Sequence, residues 1–193
     1  MGKYNEIKYW NNRKKPTSCS PDYTQTHINY LREQLKNCDN IIDVGSGIGR
    51  LFPAYSNLKL VQACDISLLY KDLIIDKSKN YNFEFNWTHL TSIKKLPFED
   101  KQFDCTISSE VLLHQRPEHI IDIMKELLRV SNKVIVITWM EINVPLDNNN
   151  KNYNPEKYCF NYNYKKLCDE NSWLLKNFKR YKRQIMFTYE DIK

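Results

Sequence analysis

A single-domain α/β fold, a doubly wound sheet with helices on both faces, is what three features of the sequence predict. The first is the stretch Asn40-Ile-Ile-Asp43-Val-Gly45-Ser46-Gly47-Ile-Gly49-Arg50, where an apolar, β-branched run enters three glycines at every second position. That is the pattern of a buried strand running into a tight loop that opens a helix. The second is Lys59-Leu-Val-Gln-Ala-Cys64, a further buried strand that ends on Asp65. The third is the regular alternation of short apolar strands with amphipathic helical stretches from there to the C-terminal region. A chain of 193 residues is large enough for one such sheet and its covering helices.

Composition narrows the classes. The apolar and charged fractions are 41% and 27%, and mean hydropathy is -0.65. No apolar run approaches bilayer length, so no membrane partner is expected. The polar start, Met1-Gly-Lys-Tyr-Asn-Glu6, lacks the apolar core of a secretory signal and reads as cytoplasmic. The six cysteines (19, 38, 64, 105, 159 and 168) form no Cys-x-x-Cys pair. They read as reduced thiols rather than a disulfide frame, and with four scattered histidines no metal centre is expected. A formal charge of +6 is too modest to name a partner, and nothing in the sequence sets an oligomeric state.

In chain order, residues 1–37 read as an arm rich in Tyr, Trp, Lys and Asn followed by a helix. Thr24 or Thr26 is placed to cap that helix, and Ile28, Leu31 and Leu35 recur at helical spacing. His27 beside that face reads as a packed or surface residue. After the glycine loop a short helix is expected over Leu51 to Asn57, with Pro53 tolerated in its first turn. Its free N–H groups would face the loop, so an anionic group is the expected guest. Ser67 is a candidate cap for the next helix, carrying Leu68, Leu69, Leu73 and Ile74. Asn82–Trp87 alternates as a half-buried third strand. Asp104 opens a fourth strand, Pro117–Val130 a helix with Ile120, Ile121, Met124, Leu127 and Leu128 on one face, and Lys133–Thr138 a strand buried on both sides. The turn-rich Met140–Asn163 segment reads as an insertion, and Asn163–Asn171 as a last helix. Trp173–Arg180 and Gln184–Tyr189 read as an antiparallel pair.

The pattern Asp43-x-Gly45-x-Gly47-x-Gly49 resembles motif I of the class I S-adenosylmethionine (SAM)-dependent methyltransferases. A dinucleotide-binding loop would instead want a glycine where Arg50 stands. Two further stretches are similar to the small-molecule-like, type 11 subgroup of that family: Leu96-Pro97-Phe98-Glu99-Asp100-Lys-Gln-Phe103-Asp104, and Ser108-Ser109-Glu110-Val-Leu112-Leu-His114. The resemblance covers roughly residues 41–190. It implies a Rossmann-like sheet of seven strands in the order 3-2-1-4-5-7-6 with the last strand antiparallel, over residues 38–193, capped by residues 1–37.

The cofactor implied is SAM, with S-adenosylhomocysteine as product. Asp43, Gly45, Ser46, Gly47, Gly49 and Arg50 would line its methionine side. Asp65 stands twenty positions beyond Gly45, where a carboxylate can accept both ribose hydroxyls, with Ile66 beside it. The family often places an acidic residue where this chain has Ser92, so Ser92 and Ile93 are the adenine candidates. Ser109 closes the fourth strand near the same pocket. Trp10 and Arg13 of the arm are candidates to cover the sulfonium and pair with a carboxylate.

Methyl transfer from a sulfonium is a displacement that needs mainly alignment, and a general base only when the nucleophile arrives protonated. Glu110 and His114 are the candidate bases, although Glu110 also reads as a helix cap and His114 as packed against the final strands. The expected acceptor is an oxygen or nitrogen of a small molecule. RNA is the alternative, because residues from Lys151 onward hold ten Lys/Arg against five Asp/Glu, interleaved with aromatics. A SAM-binding partner protein without catalysis is the third reading.

Overall fold

The structure, a computed structural model, describes residues 6–12, 21–139, 152–154 and 159–192. Arg13, Cys19 and most of the expected insertion (residues 140–151 and 155–158) lie outside the described residues. The chain forms two compact units, Met1–Ile93 and Lys94–Lys193.

The first unit carries α1 (Glu6–Asn11), α2 (Pro21–Gln34), β1 (Asn40–Val44), β2 (Leu60–Asp65), α3 (Lys71–Ser78) and β3 (Glu84–His89). Strand β2 lies between β1 and β3, all parallel, with Val44 opposite Cys64 and Asp65 opposite His89. This register sets the carboxyl ends of the strands side by side. Ile41, Ile42, Val44, Val61, Ala63 and Cys64 have no exposed surface, as strands covered on both faces require.

Three local expectations are corrected here. The helix expected over Leu51–Asn57 is a single 3-10 turn, Phe52–Ala54, because Pro53 has no N–H to extend a ladder and strand β2 begins at Leu60. The loop therefore has no α-helix N-terminus behind it. Ser67 does not cap α3, which starts four residues later at Lys71. Its hydroxyl instead accepts from the backbone N–H of Leu69 at 3.2 Å. Leu68, Leu69 and Leu73 are exposed, and of the four apolar residues assigned to that helix only Ile74 is buried. Finally α2 starts at Pro21, ahead of both threonines, and Thr26 donates to the Asp22 carbonyl at 2.9 Å.

The second unit carries β4 (Phe103–Ser109), a 3-10 turn at Leu112–His114, α4 (Ile120–Arg129), β5 (Ser131–Trp139), a small ladder of β6 (Asn152–Asn154) with β7 (Cys159–Phe160), α5 (Tyr164–Glu170), β8 (Trp173–Tyr181) and β9 (Gln184–Asp191). β5 pairs parallel with β4 and antiparallel with β9, and β8 pairs antiparallel with β9. Helix α4 is three residues shorter at its start than the sequence pattern suggests, and it buries Ile120, Ile123, Met124, Leu127 and Leu128. Phe98 meets Phe103 edge-on at 5.3 Å between ring centres, and Arg129 bonds to Asp100 and to the Phe98 and Leu96 carbonyls. These contacts fix the Leu96–Asp104 loop. The seven long strands are ordered β3-β2-β1-β4-β5-β9-β8, the order expected, with β9 antiparallel.

Candidate functional site

The glycine loop leaves β1 and turns back on β2. Gly45 and Ser46 both donate to the Cys64 carbonyl, at 2.8 and 3.2 Å, and Gly49 donates to the Ser46 carbonyl at 3.0 Å. Gly45, Gly47 and Gly49 have φ of 77°, 52° and 66°, a region that costs any residue with a Cβ.

The last two glycines serve different ends. A Cβ on Gly49 would lie 2.9 Å from two ring carbons of Phe52, whose ring is fully buried. Gly49→Ala combines that overlap with an unfavourable φ and is expected to cost about 2–4 kcal/mol. Urea unfolding checks this, and an unchanged midpoint would refute it. A Cβ on Gly47 would meet nothing within 4 Å. The backbone there borders open space, as a site for a close-lying ligand requires.

Asp65 closes the loop from the β2 side. One carboxylate oxygen accepts from the Gly47 N–H at 2.9 Å and the other from the Ser67 N–H at 2.8 Å. Each oxygen retains further lone-pair capacity, so the carboxylate is fixed and able to accept from a diol. Burial raises its pKa, and the two N–H bonds act against that shift. Ile66 follows, its carbonyl 3.2 Å from His89 Nε2.

Asp43 lies deeper, 2% exposed, and accepts from the Tyr55 hydroxyl at 3.0 Å. Burial pushes its pKa up to about 7, against the Tyr55 bond and the nearby Arg50 charge. Arg50 itself does not project freely from the loop: its Nη1 stands 2.9 Å from His27 Nδ1. His27 is fully buried, so the ring and the guanidinium hold each other in place. Ser46 and Ile93 are buried and Ser92 half-buried, the last two in the segment that follows β3.

The arm reaches this site through α1. Asn11 Oδ1 accepts from the Ser67 hydroxyl at 3.2 Å and the Leu68 N–H at 3.1 Å, and the Ser67 hydroxyl lies 3.5 Å from the Trp10 carbonyl. Ser67 thus joins Asp65 on one side to the arm on the other. Arg13 lies outside the described residues.

In the second unit, Ser109 ends β4 half-buried, opposite Ile137. Glu110 follows with φ of 60°, its N–H donating to the Ile137 carbonyl at 2.7 Å. Its carboxylate accepts from Gln184 Nε2 at 3.0 Å, and the 3-10 turn after it has no side-chain cap. The expectation that Glu110 caps a helix is corrected accordingly. His114 is buried with Nδ1 3.7 Å from the Cys159 sulfur on β7. Among the described residues no group of three or more His, Cys, Asp or Glu side chains is placed to hold a metal ion.

Sequence reasoning did not assign His27, Tyr55, Asn11, Gln184 or Cys159 to these clusters. Each reaches its partner across 12 or more positions, and no local spacing encodes such a contact.

The strand order, the glycine loop after β1 and the acidic end of β2 define a class I methyltransferase fold. Residues 41–133 match the family described as methyltransferase domain. No curated protein matches the chain by sequence. A protein of Pyrococcus horikoshii OT3 is similar in structure at 18% identity, covering 96% of this chain and 99% of that one, with a TM-score of 0.67. Magnesium protoporphyrin IX methyltransferase from Synechocystis PCC 6803 with bound S-adenosylhomocysteine is similar at 15% identity, covering 100% and 90%, with a TM-score of 0.67. A SAM-dependent methyltransferase of Leishmania major is similar at 11% identity, covering 95% and 81%, with a TM-score of 0.75. At these identities the likeness is one of fold. Residues 41–133 thus carry the match to a methyltransferase domain, and the whole chain shares the methyltransferase fold.

Proposed function

We propose that the chain binds SAM along the β1 loop and the end of β2 and transfers its methyl group to an oxygen or nitrogen atom of a small-molecule acceptor. The observation that carries this reading is the Asp65 carboxylate, held by the Gly47 and Ser67 N–H groups beside the open face of Gly47. A rigid acceptor pair next to bare backbone suits a ribose diol and the chain that continues from it. Bound SAM would supply a methyl group already activated on a sulfonium.

The residues divide the remaining work. Gly45, Ser46, Gly47 and Gly49 present backbone to the methionine portion, and the charges of Asp43 and Arg50 lie behind them. Ile66, Ser92, Ile93 and Ser109 are assigned to the adenosine side. Glu110 and His114 are the groups assigned to take a proton from an acceptor that arrives protonated. The arm closes over the cofactor, with Trp10 and Arg13 as its contacts. This is supported by Asn11, which ties α1 to the turn that also holds Asp65.

The test is incubation of the full chain with methyl-labelled SAM and fractionated cell extract. Label in the metabolite fraction is the expected result. Label confined to RNA or protein, or none despite retained SAM, would overturn the small-molecule reading. A chain lacking residues 1–20 is expected to retain SAM more weakly and lose transfer, whereas an unaffected truncation would refute the arm's role as a cover.

A further inference from the structure

A guanidinium can only donate hydrogen bonds, so the 2.9 Å contact from Arg50 Nη1 makes His27 Nδ1 an acceptor. The His27 ring is therefore neutral, with its proton on Nε2. His27 is fully buried on α2, and α2 is tied to the turn after the glycine loop by Arg32, whose Nη2 donates to the Pro53 carbonyl at 3.0 Å. The imidazole is thus anchored to the scaffold. Arg50 directly follows Gly49, the last glycine of the loop, and is half-buried.

A carboxylate at position 27 would orient the guanidinium and cancel much of its charge, whereas a neutral imidazole orients it and leaves that charge in place. The five N–H donors of a guanidinium form a fork, of which His27 takes one, and the fork is wide enough to meet a carboxylate with two others. Two further groups feel the Arg50 charge. Burial pushes the Asp43 pKa up to about 7, and the Tyr55 bond and then Arg50 act against that shift. Burial lowers the pKa of Lys77, and Arg50 adds to the lowering. An acid and two cations in one neighbourhood suit a guest that carries both signs of charge, as the α-amino acid end of SAM does.

We propose that His27 is a positioning residue for the cofactor: it holds Arg50 in the direction in which the guanidinium takes the α-carboxylate of SAM. The proposal rests on the reading of the β1 loop as the SAM site, and adds to it the group that reads the carboxylate and the residue that aims that group. A long side chain loses rotamer freedom when it binds a ligand, and one already held by the scaffold has less to lose. His27 acts through Arg50 rather than on the guest.

The test is calorimetric titration of the full chain with SAM and with decarboxylated SAM, which keeps the adenosine, the sulfonium and the amine and lacks only the carboxylate. The wild type is expected to prefer SAM by about a hundredfold, as a charge-assisted, two-pronged bond gives. Arg50→Met is expected to abolish that preference and His27→Phe to cut it to about tenfold, each holding decarboxylated SAM within about threefold of the wild type. His27→Asn, whose Oδ1 replaces Nδ1 as acceptor, is expected to keep the wild-type preference. Phenylalanine fills the buried ring site better than asparagine does, so a purely structural role would rank these two variants the other way. Added to Arg50→Met, His27→Phe should lower SAM affinity no further, because its effect passes through the guanidinium. Equal losses for the two ligands would overturn the proposal and leave the pair a structural tie. So would an unchanged preference in His27→Phe, or losses that add in the double variant. A wild type that binds neither ligand would remove the SAM reading itself, an outcome distinct from these.

Discussion

Gly47→Val is expected to abolish SAM binding in calorimetric titration while leaving the protein folded. A valine at φ of 52° costs about 1–2 kcal/mol in backbone strain, and its branches would fill the space that the bare backbone leaves open. Because a Cβ at Gly47 meets no protein atom within 4 Å, the fold has little reason to shift. The loss should therefore appear as affinity, at least a hundredfold, rather than as a lowered unfolding midpoint. Gly49→Ala is the converse, a stability defect caused by Phe52. Asp65→Ala belongs with the first class: it deletes the carboxylate that meets the Gly47 and Ser67 N–H groups and the acceptor assigned to the ribose. Charge-assisted hydrogen bonds are worth about 1.5–3 kcal/mol each, so about a hundredfold loss is expected there too. Wild-type affinity in both variants would sink the placement of the cofactor.

Most of the scaffold was legible in the sequence because its strands are buried on both sides and bounded by strong breaks. β1, β2, β5 and the β8–β9 pair each appear as apolar or alternating runs, and their observed bounds lie within a few residues of those expected. The pattern failed where a short-range rule competed with chain length. Nine residues separate Arg50 from Leu60, and with Pro53 among them the connection closes as one 3-10 turn. The polar arm showed no periodicity, yet Glu6–Asn11 forms a helix there, and Asn11 holds it by a side-chain contact 56 positions away.

Legibility of the site divides the same way. The glycines and Asp65 are declared by spacing along one strand–loop–strand unit, so motif and geometry coincide. The Arg50–His27 and Asp43–Tyr55 contacts are not, since they join residues 23 and 12 positions apart that no local spacing links. Arg50 directly follows the last glycine of the motif in sequence, but what orients its guanidinium is a histidine on α2 that composition alone would class as packing.

Asp43→Asn is expected to make the protein more stable at pH 8 and less able to hold SAM. Burial raises the Asp43 carboxyl from its ordinary value of 3.8 to about 7 in the folded protein. Between those two values the folded state binds a proton that the unfolded state has released, so folding stability falls as pH rises through that window. At 1.36 kcal/mol per unit, three units set a ceiling of about 4 kcal/mol on the penalty for ionising this group in place. Asparagine does not titrate, and its amide oxygen still accepts from the Tyr55 hydroxyl, so the variant escapes the penalty. Urea unfolding between pH 4 and 8 should give curves that coincide at the acid end and separate steadily toward pH 7, with the variant above. Parallel curves would show that Asp43 titrates alike in both states and refute the shift. Retention of a carboxylate at such a cost is expected where the charge is used, and under the proposed function a cationic cofactor is what it faces. SAM affinity of the variant at pH 8 should accordingly fall by about tenfold even as its unfolding midpoint rises, and a variant that gained stability with affinity intact would remove Asp43 from the binding site.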